Sequence, residues 1–355
     1  MQIHQMVASL TFGDAIGNEA IYIQSLLRGR GFDSEIFAES ADSILSGRAR
    51  DLEEYESFSS PDNVLILHFS IGSRAASLAE RLADKLMLVY HNITPAHFFT
   101  PYSRKIAVQC LRGRRELARL RKRASLSVGV SEYNRQELED LGFEPTAVLP
   151  FLFDPERLTA SANPVITRMY DDDMTNFLFV GRVTPNKRFE DLIKIVKVYQ
   201  RSIDRKCRLL CVGQFRDVER YYERLVRLAD DLELLRVEFP GQVSTEELVA
   251  FYGVADVFLC MSEHEGFCAP LLEAFQMGVP VVAYDAGAVA ETLGGAGILV
   301  HEKKFDEIAE LAYLLVTDEG LRRRVVGAQY RALDEVLARD DGELLMRFVS
   351  EISAS

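Results

Sequence analysis

Two glutamates eight positions apart frame a segment that has the composition of a binding loop. Glu265 and Glu273 follow the apolar run Val257–Met261, and Pro270 lies between them where a helix would begin, because a proline in the first helical turn gives up no hydrogen bond. Backbone N–H groups of residues 266–269 would then lie at a helix N-terminus, which favours anions. Carboxylates accept hydrogen bonds from hydroxyl groups. The segment therefore predicts a binding site for a sugar nucleotide. An isolated pair of this kind also has a structural explanation, in which Glu273 stabilises the helix dipole and Glu265 is an exposed loop acid.

A second loop carries two cations in a comparable position. Phe177–Val180 is a strand-like run, and a helical pattern begins at about Phe189. Between them, Arg182 offers a rigid guanidinium fork and Lys187 an ammonium group, both of which suit a diphosphate. Ligands of open α/β sheets bind at the carboxyl ends of the strands. We therefore expect Arg182 and Lys187 to bind a diphosphate.

Three segments together resemble the retaining glycosyltransferases of family 4. They are the acid-to-acid segment from Glu265 to Glu273, the loop from Gly181 to Lys187, and the run Gly-Val-Pro-Val-Val-Ala at residues 278–283. The resemblance extends over essentially the whole C-terminal half and is weaker in the N-terminal half. It implies an α/β protein with the GT-B fold, in which two Rossmann-like domains with parallel sheets face each other across a cleft.

The resemblance implies a role for each matching residue. Arg182 and Lys187 would bind the donor diphosphate. Glu273 would bind the ribose, and Glu265 would bind hydroxyl groups of the donor sugar and act as a catalytic residue. The other implied contacts are Gly266, Phe267, Cys268 and Ala269 for the sugar and phosphate, and Val243 for the base.

Two N-terminal segments fit the same cleft. Residues 13–18 follow the first strand-like run, and their glycines would let the backbone approach a phosphate or a sugar. The predicted contacts are Gly17 for the diphosphate, and Gly13, Asp14 and Asn18 for the acceptor or sugar. His91 matches a position where many family members carry a histidine beside the reacting centre of the donor, and it is the second predicted catalytic residue. His4 and His68 lie in strand-like runs and are interpreted as structural.

Short apolar runs alternate with longer helical patterns along the whole chain, the order expected of βα units around parallel sheets. The strand-like runs are residues 3–9, 34–38, 64–68, 86–90, 126–130, 146–149, 176–180, 208–212, 237–239, 257–261, 279–283 and 298–300. Residues 150–173 are predicted to be an interdomain linker. We therefore predict an acceptor-binding domain at 1–160 and a nucleotide-sugar domain at 161–340. By family analogy, a C-terminal helix at 341–355 would return to the N-terminal domain.

Composition limits the class of protein further. The 355 residues are enough for two domains, and a net charge of -13 argues against a surface that coats nucleic acid. The five cysteines are an odd number, which predicts reduced core thiols in a cytoplasmic protein. The N-terminus lacks the pattern of a secretory signal, and no apolar run has the roughly 18 residues of a membrane span.

A basic run at residues 112–123 contains seven cations and one anion. It is predicted to lie on a helix that starts near His97 or Ser103, with cations at 112, 115, 119, 122 and 123 near one face. Leu111, Leu117 and Leu120 would form an apolar stripe. One interpretation is a solvated helix face. The other is docking onto an anionic membrane or a lipid-linked phosphate acceptor, which would place the protein peripherally on the inner face of a membrane.

The combined prediction is a retaining hexosyltransferase. It would move a hexose from a UDP- or GDP-sugar to a hydroxyl of a glycan, glycolipid or lipid-linked acceptor in cell-surface polysaccharide synthesis. A front-face path is expected, in which Arg182, Lys187 and the helix N-terminus neutralise the departing diphosphate. No cofactor or metal is expected, because the acidic run Asp171–Asp173 lies in the predicted linker and not at a strand end.

Two other classes of protein share features of this sequence. A non-catalytic nucleotide-sugar binder could keep the same fold and the same residues. An NAD-dependent dehydrogenase also has alternating strands and helices, but the fingerprint G-x-G-x-x-G is missing after the first strand, where the glycines are Gly13 and Gly17.

Overall fold

The structure, a computed structural model, describes residues 1–45 and 47–354. The chain forms two compact units. Unit 1 contains residues 1–97, 104–154 and 339–355, and unit 2 contains residues 98–103 and 155–338.

Each unit is built on a parallel sheet. The strands are, in chain order, β1 (Ile3–Val7), β2 (Ile36–Ala38), β3 (Arg50–Asp51), β4 (Val64–Phe69), β5 (Lys85–Tyr90), β6 (Leu126–Gly129), β7 (Thr146–Val148), β8 (Thr175–Val180), β9 (Cys207–Val212), β10 (Val237–Gly241), β11 (Val257–Cys260), β12 (Val281–Tyr284) and β13 (Ile298–Val300). The spatial order is β3-β2-β1-β4-β5-β6-β7 in unit 1 and β10-β9-β8-β11-β12-β13 in unit 2. The strand pairings are parallel.

The central strands are apolar along their length because both faces of a parallel sheet are covered. Leu65 and Leu67 of β4 are fully buried, as are Leu86 and Leu88 of β5. The register pairs Leu65 with Leu86 and Leu67 with Leu88. Burying each such side chain contributes ~1.5–3 kcal/mol, so these runs specify the centre of the sheet.

Helices connect the strands. They are α1 (Ala15–Gly29), α2 (Arg74–Ala79), α3 (Ala96–Phe99), α4 (Arg104–Leu120), α5 (Glu132–Asp140), α6 (Pro164–Tyr170), α7 (Phe189–Ser202), α8 (Glu219–Asp231), α9 (Thr245–Gly253), α10 (Ala269–Gln276), α11 (Val289–Leu293), α12 (Phe305–Thr317), α13 (Glu319–Ala338) and α14 (Asp341–Ala354). Polar side chains mark several starts. Ser73 and Ser131 accept N–H groups of α2 and α5, and Ser244 forms a capping box with Glu247 at α9.

Both sheets have the Rossmann strand order. In each unit the third, second and first strands lie to one side of the fourth, so the order reverses between the first and the fourth strand. We call this place the switch point; it lies between β1 and β4 in unit 1 and between β8 and β11 in unit 2. Ligands of such sheets bind outside the carboxyl ends of the strands at this point.

The predicted α/β class with two Rossmann-like parallel sheets is confirmed. Each predicted strand is found within two residues at either end. Among the strands of the described residues, the sequence missed only the two-residue strand β3, whose Arg50 and Asp51 are exposed and charged and therefore give no apolar signal. The five cysteines are buried thiols, as predicted. In the described part of the chain, no helix is both long enough and apolar enough to cross a bilayer.

The division between the units lies at residues 154/155, whereas the sequence placed it at 160/161. The Pro155 carbonyl accepts a 2.7 Å hydrogen bond from the Gln276 side chain, and Arg157 pairs with Glu273. Both partners belong to unit 2, so the chain joins that unit from Pro155 onward.

The stretch predicted as a linker is largely folded. Residues 164–170 form α6, which Asn163 caps at its start. Asp172 and Asp173, which were predicted to lie in the linker, pair with Arg208 and Lys206. At the other end of the chain, residues 339–355 belong to unit 1, and Lys85 Nζ donates to a carbonyl of α14 at 2.6 Å.

Candidate functional site

Lys187 and Glu265 meet at the switch point of unit 2. Lys187 ends a short 3₁₀ turn after β8, and Glu265 lies between β11 and α10. Lys187 Nζ is 2.6 and 2.7 Å from the two carboxylate oxygens of Glu265, and the side chains are 19% and 7% exposed. Burial is the largest single effect and lowers the pKa of Lys187, but the Glu265 carboxylate, followed by Cys268 and Cys260, opposes burial, and the pKa is raised on balance. The lysine therefore stays a cation in a mostly dry site.

Hydrogen bonds tie the two loops together. The Asn186 amide donates to the His264 carbonyl at 3.1 Å, and the Asn186 carbonyl accepts from the Glu263 N–H at 2.8 Å. On the other side, the Ala288 N–H donates to the Glu265 carbonyl at 3.0 Å. A Cβ at Gly287, whose φ is +60°, would lie 2.3 Å from that same carbonyl oxygen. The Glu265 backbone is therefore held from two sides.

A network of ion pairs lies beside this pair. Lys303 Nζ is 2.8 Å from Asp191 and 2.9 Å from Glu263, and Arg188 Nε is 3.3 and 3.2 Å from the same two acids. Arg188 adopts a left-handed φ of 56° at the start of α7. The network joins the first turn of α7 to the loop after β11, so the same ion pairs link both loops of the site.

The loop before α10 holds an uncommon backbone conformation. Cys268 has a left-handed φ of 81° and is the N-cap residue, and Pro270 occupies the second helical position. Among the described residues four that are not glycine have such a φ, and three of them, Asn92, Arg188 and Cys268, adjoin or belong to the predicted site. Strain of this kind concentrates at functional sites, where the surrounding structure maintains it.

Cys268 also approaches a second cysteine. Its Sγ lies 4.0 Å from Cys260 Sγ, and this hydrogen bond, followed by burial, raises the pKa of the Cys268 thiol. Cys260, Glu265 and Cys268 have ligand-type atoms within 4.8 Å of one another. The Lys187 ammonium contacts both oxygens of Glu265, so it already supplies the positive charge that a metal ion would bring.

Glu273 has partners within unit 2. Arg157 pairs with its Oε1, and Tyr252 Oη donates to its Oε2 at 2.8 Å. Because a carboxylate offers about four acceptor positions, the two contacts leave capacity for a hydroxyl group. Burial, followed by the Glu273 charge, raises the pKa of Tyr252, so Tyr252 remains a donor at neutral pH.

Two predicted residues of unit 2 lie apart from the Lys187–Glu265 pair. Arg182 is 59% exposed, and its guanidinium is 3.9 Å from Asp217. Val243 is half-buried in the loop between β10 and α9. Within the described ranges, no hydrogen bond or ion pair joins either residue to Lys187 or Glu265.

In unit 1, the glycine-containing loop is organised by its own aspartate. Asp14 caps α1, and its Oδ2 accepts the Gly17 N–H at 3.3 Å, while the Asn18 N–H donates to the Asp14 carbonyl at 3.0 Å. Gly13 has a left-handed φ of 72°. A phosphate at Gly17 would therefore have to displace a carboxylate of the same sign.

His91 lies in a buried polar cluster that the sequence did not predict. Its Nε2 is 3.0 Å from His68 Nδ1 and 3.6 Å from Glu19 Oε2, and His68 Nε2 is 2.9 Å from Gln5 Oε1. Glu19 Oε1 accepts the Leu152 N–H at 2.9 Å. His68, interpreted from the sequence as structural, is buried in β4 and also contacts the predicted residue His91. Its place near the carboxyl end of β4, at the switch point, was the signal that could have identified it.

Burial dominates the electrostatics of this cluster. It raises the pKa of Glu19 to about 8 and lowers the pKa of His68 to about 3. The pKa of His91 is lowered well below its ordinary value, first by burial and then by His68. At neutral pH both rings are neutral and Glu19 is mostly protonated. His4, by contrast, packs edge-on against Phe37, as a structural histidine does.

The basic run lies on α4, and the structure pairs many of its cations within unit 1. Arg112 pairs with Glu116, Arg114 with Glu137, and Arg119 with Glu80, and Arg123 donates to backbone carbonyls. Leu117 and Leu120 are buried, but Leu111 is 55% exposed. The predicted apolar stripe is therefore corrected: Leu111 belongs to the solvent face.

Comparison with known proteins finds a family model and curated relatives that match part of the chain. Residues 170–331 match the family model described as Glycosyl transferases group 1. The GDP-mannose-dependent alpha-(1-6)-phosphatidylinositol monomannoside mannosyltransferase of Mycobacterium tuberculosis is 28% identical over 205 residues, which are 53% of this chain and 52% of that protein. A GDP-mannose-dependent monoacylated alpha-(1-6)-phosphatidylinositol monomannoside mannosyltransferase of Corynebacterium glutamicum is 32% identical over 161 residues, 43% of this chain and 40% of that protein. The chain thus spans about half the length of the curated relatives it matches.

Two solved structures share the fold along the whole chain. Anabaena HepE, in complex with UDP and glucose, superimposes with a TM-score of 0.71 at 18% identity, and sucrose-phosphate synthase from Thermosynechococcus elongatus with a TM-score of 0.73 at 17% identity; both alignments cover 100% of each chain. The fold and the two switch points define a GT-B protein. Residues 170–331, the part of unit 2 that contains Lys187 and Glu265, match the glycosyl transferases group 1.

Proposed function

We propose that the chain is a retaining glycosyltransferase of family 4 that moves a hexose from a nucleoside-diphosphate sugar to a hydroxyl group of a glycan, glycolipid or lipid-linked acceptor. One observation carries the proposal. The buried Lys187–Glu265 pair lies at the switch point of unit 2, beside the N-terminus of α10, and inside the region that matches the family model.

Lys187 and Glu265 bind different parts of the donor. A diphosphate is a dianion with acceptor oxygens only, so it competes with Glu265 for the Lys187 ammonium. Once Lys187 binds phosphate, the Glu265 carboxylate is free to accept hydrogen bonds from sugar hydroxyls. The ion pair therefore keeps the empty site neutral and is exchanged for donor contacts.

Positive charge around the departing diphosphate lowers the barrier to transfer. Lys187 supplies it from a mostly buried position, where electrostatic interactions are stronger than in water. Arg182 is exposed, and within the described residues the contact found for its guanidinium is the 3.9 Å ion pair with Asp217, so it can turn onto a phosphate. The backbone of residues 266–269 adds N–H groups at the start of α10. With these charges in place the reaction needs no divalent metal.

The remaining positions complete the donor and acceptor contacts. Glu273 accepts hydrogen bonds from ribose hydroxyls through its unused lone pairs, and Val243 contacts the base. His91, Gly13, Asp14 and Asn18 contact the donor sugar or the acceptor. Gly17 lies in the same loop as Gly13, Asp14 and Asn18, and a diphosphate that contacts its N–H replaces the Asp14 carboxylate there.

GDP-mannose is the first donor to test, because two relatives are named for its use, and UDP-glucose is the second, because HepE was solved with UDP and glucose. We expect one nucleoside diphosphate to raise the melting temperature of the protein. The matching sugar nucleotide should then release free nucleotide at a rate that depends on an added acceptor, for which alkyl mannosides and glucosides are suitable probes. Stabilisation without acceptor-dependent release would contradict the transferase and favour a binding protein.

The stereochemistry and the metal independence have separate tests. Proton NMR of the product should give the same anomeric configuration as the donor. Excess EDTA should leave the initial rate unchanged. An inverted product would exclude family 4 chemistry, and a rate that EDTA abolishes and Mg²⁺ restores would exclude the proposed role of Arg182 and Lys187 as sole counter-charges.

One face of α4 supports contact with an anionic membrane on its cytoplasmic side. Arg104, Val108, Leu111 and Arg115 share this face by helical spacing, Lys122 lies in the turn that follows the helix, and all five are exposed. Two apolar side chains among cations are the composition of an interfacial helix. Vesicles containing anionic lipid should bind the protein, and an Arg115→Glu, Lys122→Glu double variant should not bind. Equal binding to neutral and anionic vesicles would dispose of this part of the proposal.

A further inference from the structure

The backbone carbonyl of Ala20 determines which group donates and which accepts in each hydrogen bond of the chain that leads to His91. The Gln5 amide nitrogen donates to the Ala20 carbonyl at 2.9 Å. A carbonyl can only accept, so the NH₂ group of Gln5 must face Ala20 and its Oε1 must face His68. Because Oε1 also only accepts, the proton of the His68 ring lies on Nε2, which is 2.9 Å away.

The same reasoning assigns the ring proton of His91. A neutral His68 that is protonated on Nε2 has a lone pair on Nδ1. Its partner at 3.0 Å, His91 Nε2, must then be the donor. A neutral His91 with its proton on Nε2 has a lone pair on Nδ1.

A metal ion bound by Glu19, His68 and His91 is the competing explanation, since their ligand atoms lie within 4.8 Å of one another. The two rings are inclined by only 23°, and their centroids are 5.2 Å apart while the two nitrogens are 3.0 Å apart. The centroid distance exceeds the nitrogen–nitrogen distance by about one ring diameter. The rings therefore lie end to end, and each nitrogen points at the other. A shared metal would lie off that line. The geometry fits a hydrogen bond.

His91 is the member of the cluster that reaches the surface. Its side chain is 5% exposed, compared with 0% for His68 and 1% for Glu19. In the described part of the chain, the ring contacts found for His91 use Nε2, and no hydrogen bond to Nδ1 is found. The lone pair on Nδ1 is therefore available to a ligand.

We propose that Gln5 and His68 are positioning residues that hold His91 with its proton on Nε2, so that Nδ1 accepts a hydrogen bond from a sugar hydroxyl group and cannot donate to the diphosphate. This inference rests on the proposed function and deepens it. It assigns His91 to a hydroxyl of the donor sugar or of the acceptor, whereas Lys187 and Arg182 take the phosphates. A neutral, buried ring also orients that hydroxyl without taking its proton.

The first test measures the tautomer without any substrate. In protein labelled with ¹⁵N-histidine, long-range ¹H–¹⁵N correlation spectra at pH 7 distinguish protonated from unprotonated ring nitrogens, and His91→Gln identifies the His91 signals by their loss. We expect His91 and His68 both to carry the proton on Nε2. A His91 ring protonated on Nδ1, or on both nitrogens, would overturn the proposal. So would a shift of both rings on addition of Zn²⁺.

The second test removes the acceptor for His91. His68→Leu deletes the Nδ1 lone pair, while His68→Asn keeps an acceptor oxygen near the same place. We expect His91 to become a mixture of tautomers in His68→Leu and to stay protonated on Nε2 in His68→Asn. His4→Leu is the matched control, because it removes a buried histidine of unit 1 that is outside the cluster, and the His91 signals should not change.

The third test measures the transfer kinetics of the His68 variants. In His68→Leu we expect kcat to fall about tenfold, the effect of one neutral hydrogen bond, with KM for the donor nearly constant, and His68→Asn to recover most of the rate. A folded His68→Leu variant with a fixed His91 tautomer and the wild-type kcat would refute the positioning role. If the wild-type protein has the expected tautomer but transfers no sugar, the proposed function fails and the tautomer assignment stands.

Discussion

The two switch points have the same strand order and opposite chemistry. In unit 2 the carboxyl ends of β8 and β11 hold the ion pair Lys187–Glu265, beside further ion pairs of Arg188 and Lys303. In unit 1 the corresponding region of β1 and β4 holds a neutral cluster, in which His68 and His91 are joined by a hydrogen bond. The topology therefore decides where a site forms, and the side chains decide which part of a ligand it can bind.

Burial lowers the pKa of a basic group at both places, but the net result differs. At Lys187 the adjacent Glu265 carboxylate is the main effect that opposes burial, and the pKa is raised on balance, so the lysine stays charged. At His68 and His91 burial is the largest effect and no counter-charge balances it, so the rings are neutral. Charged groups bind anions strongly, whereas a neutral lone pair discriminates between donors and acceptors of hydrogen bonds. The comparison predicts that the two regions contribute differently to binding and to turnover.

Removing the charge in unit 2 has the largest expected effect. Lys187→Met should lower the transfer rate by about 10²–10³-fold, the usual effect of losing one group that stabilises developing charge. It should also abolish the thermal shift caused by the nucleoside diphosphate alone. Lys206→Met is the matched control, because Lys206 is an exposed lysine of the same unit, paired with Asp173, and it should leave both quantities unchanged.

The same variant separates stability from function. Lys187→Met leaves Glu265 buried without a partner, so we expect the free energy of unfolding to fall by ~3–5 kcal/mol. A Lys187→Met, Glu265→Leu double variant should recover most of that loss, measured by urea unfolding, and none of the activity. Recovery of transfer in the double variant would mean that the ion pair is only structural.

Removing the acceptor in unit 1 should change turnover and spare diphosphate binding. His91→Ala should lower kcat about tenfold, because a neutral hydrogen bond contributes ~0.5–1.5 kcal/mol, while calorimetry should give an unchanged Kd for the nucleoside diphosphate. His301→Ala, at a 71% exposed histidine side chain, is the control. A weaker diphosphate affinity in His91→Ala would break the division of roles between the two switch points.

Alanine substitutions at two glycines test whether the position of the Glu265 backbone matters for transfer. Gly287 and Gly295 both have a left-handed φ, +60° and +79°, but a Cβ meets the Glu265 carbonyl only at Gly287 and nothing within 4 Å at Gly295. Both alanine variants should lose ~1–3 kcal/mol of stability from backbone strain. Only Gly287→Ala should also lower the transfer rate, by several-fold. Equal rates in the two variants would show that the position of the Glu265 backbone is not critical.

The smallest effect concerns pH and the neutral cluster. Burial raises the pKa of Glu19 to about 8 from an ordinary 4.5, so the folded protein keeps a proton that the unfolded chain releases. Stability therefore falls as pH rises toward about 8 and levels off above it. His68 acts oppositely, because its lowered pKa costs stability only as pH falls below about 6.5.

The interval from about pH 6.5 to 8 therefore isolates Glu19 within the cluster. Here the melting temperature of the wild type should decline with pH, by an amount equivalent to about 1.4 kcal/mol per pH unit. Glu19→Gln keeps an acceptor for the Leu152 N–H and has no proton to lose, so its curve should be flatter. Parallel curves for the two proteins would mean that Glu19 is not neutral in the folded state.

Local patterns in the sequence were sufficient for the strands and for one of the two regions. Apolar runs of four to six residues define the buried strands, because a parallel sheet is covered on both faces. Lys187 and Glu265 each follow such a run, and parallel strands bring their carboxyl ends to one edge of the sheet. The expectation that both residues serve one site could therefore be drawn from sequence, and the structure places them in contact. Their roles toward a ligand stay predictions.

Only the tertiary structure decided the contacts whose partners have no local signal. Glu19, His68 and His91 are far apart in the sequence and meet because β1, β4 and β5 are neighbours in the sheet. The pairing of Arg157 with Glu273, and the pairing of the α4 cations with acids of other elements, depend on the same long-range packing. Hydrophobic periodicity specifies which face of an element is buried, but a charge or a ring nitrogen acquires its protonation state only from the groups that folding brings beside it.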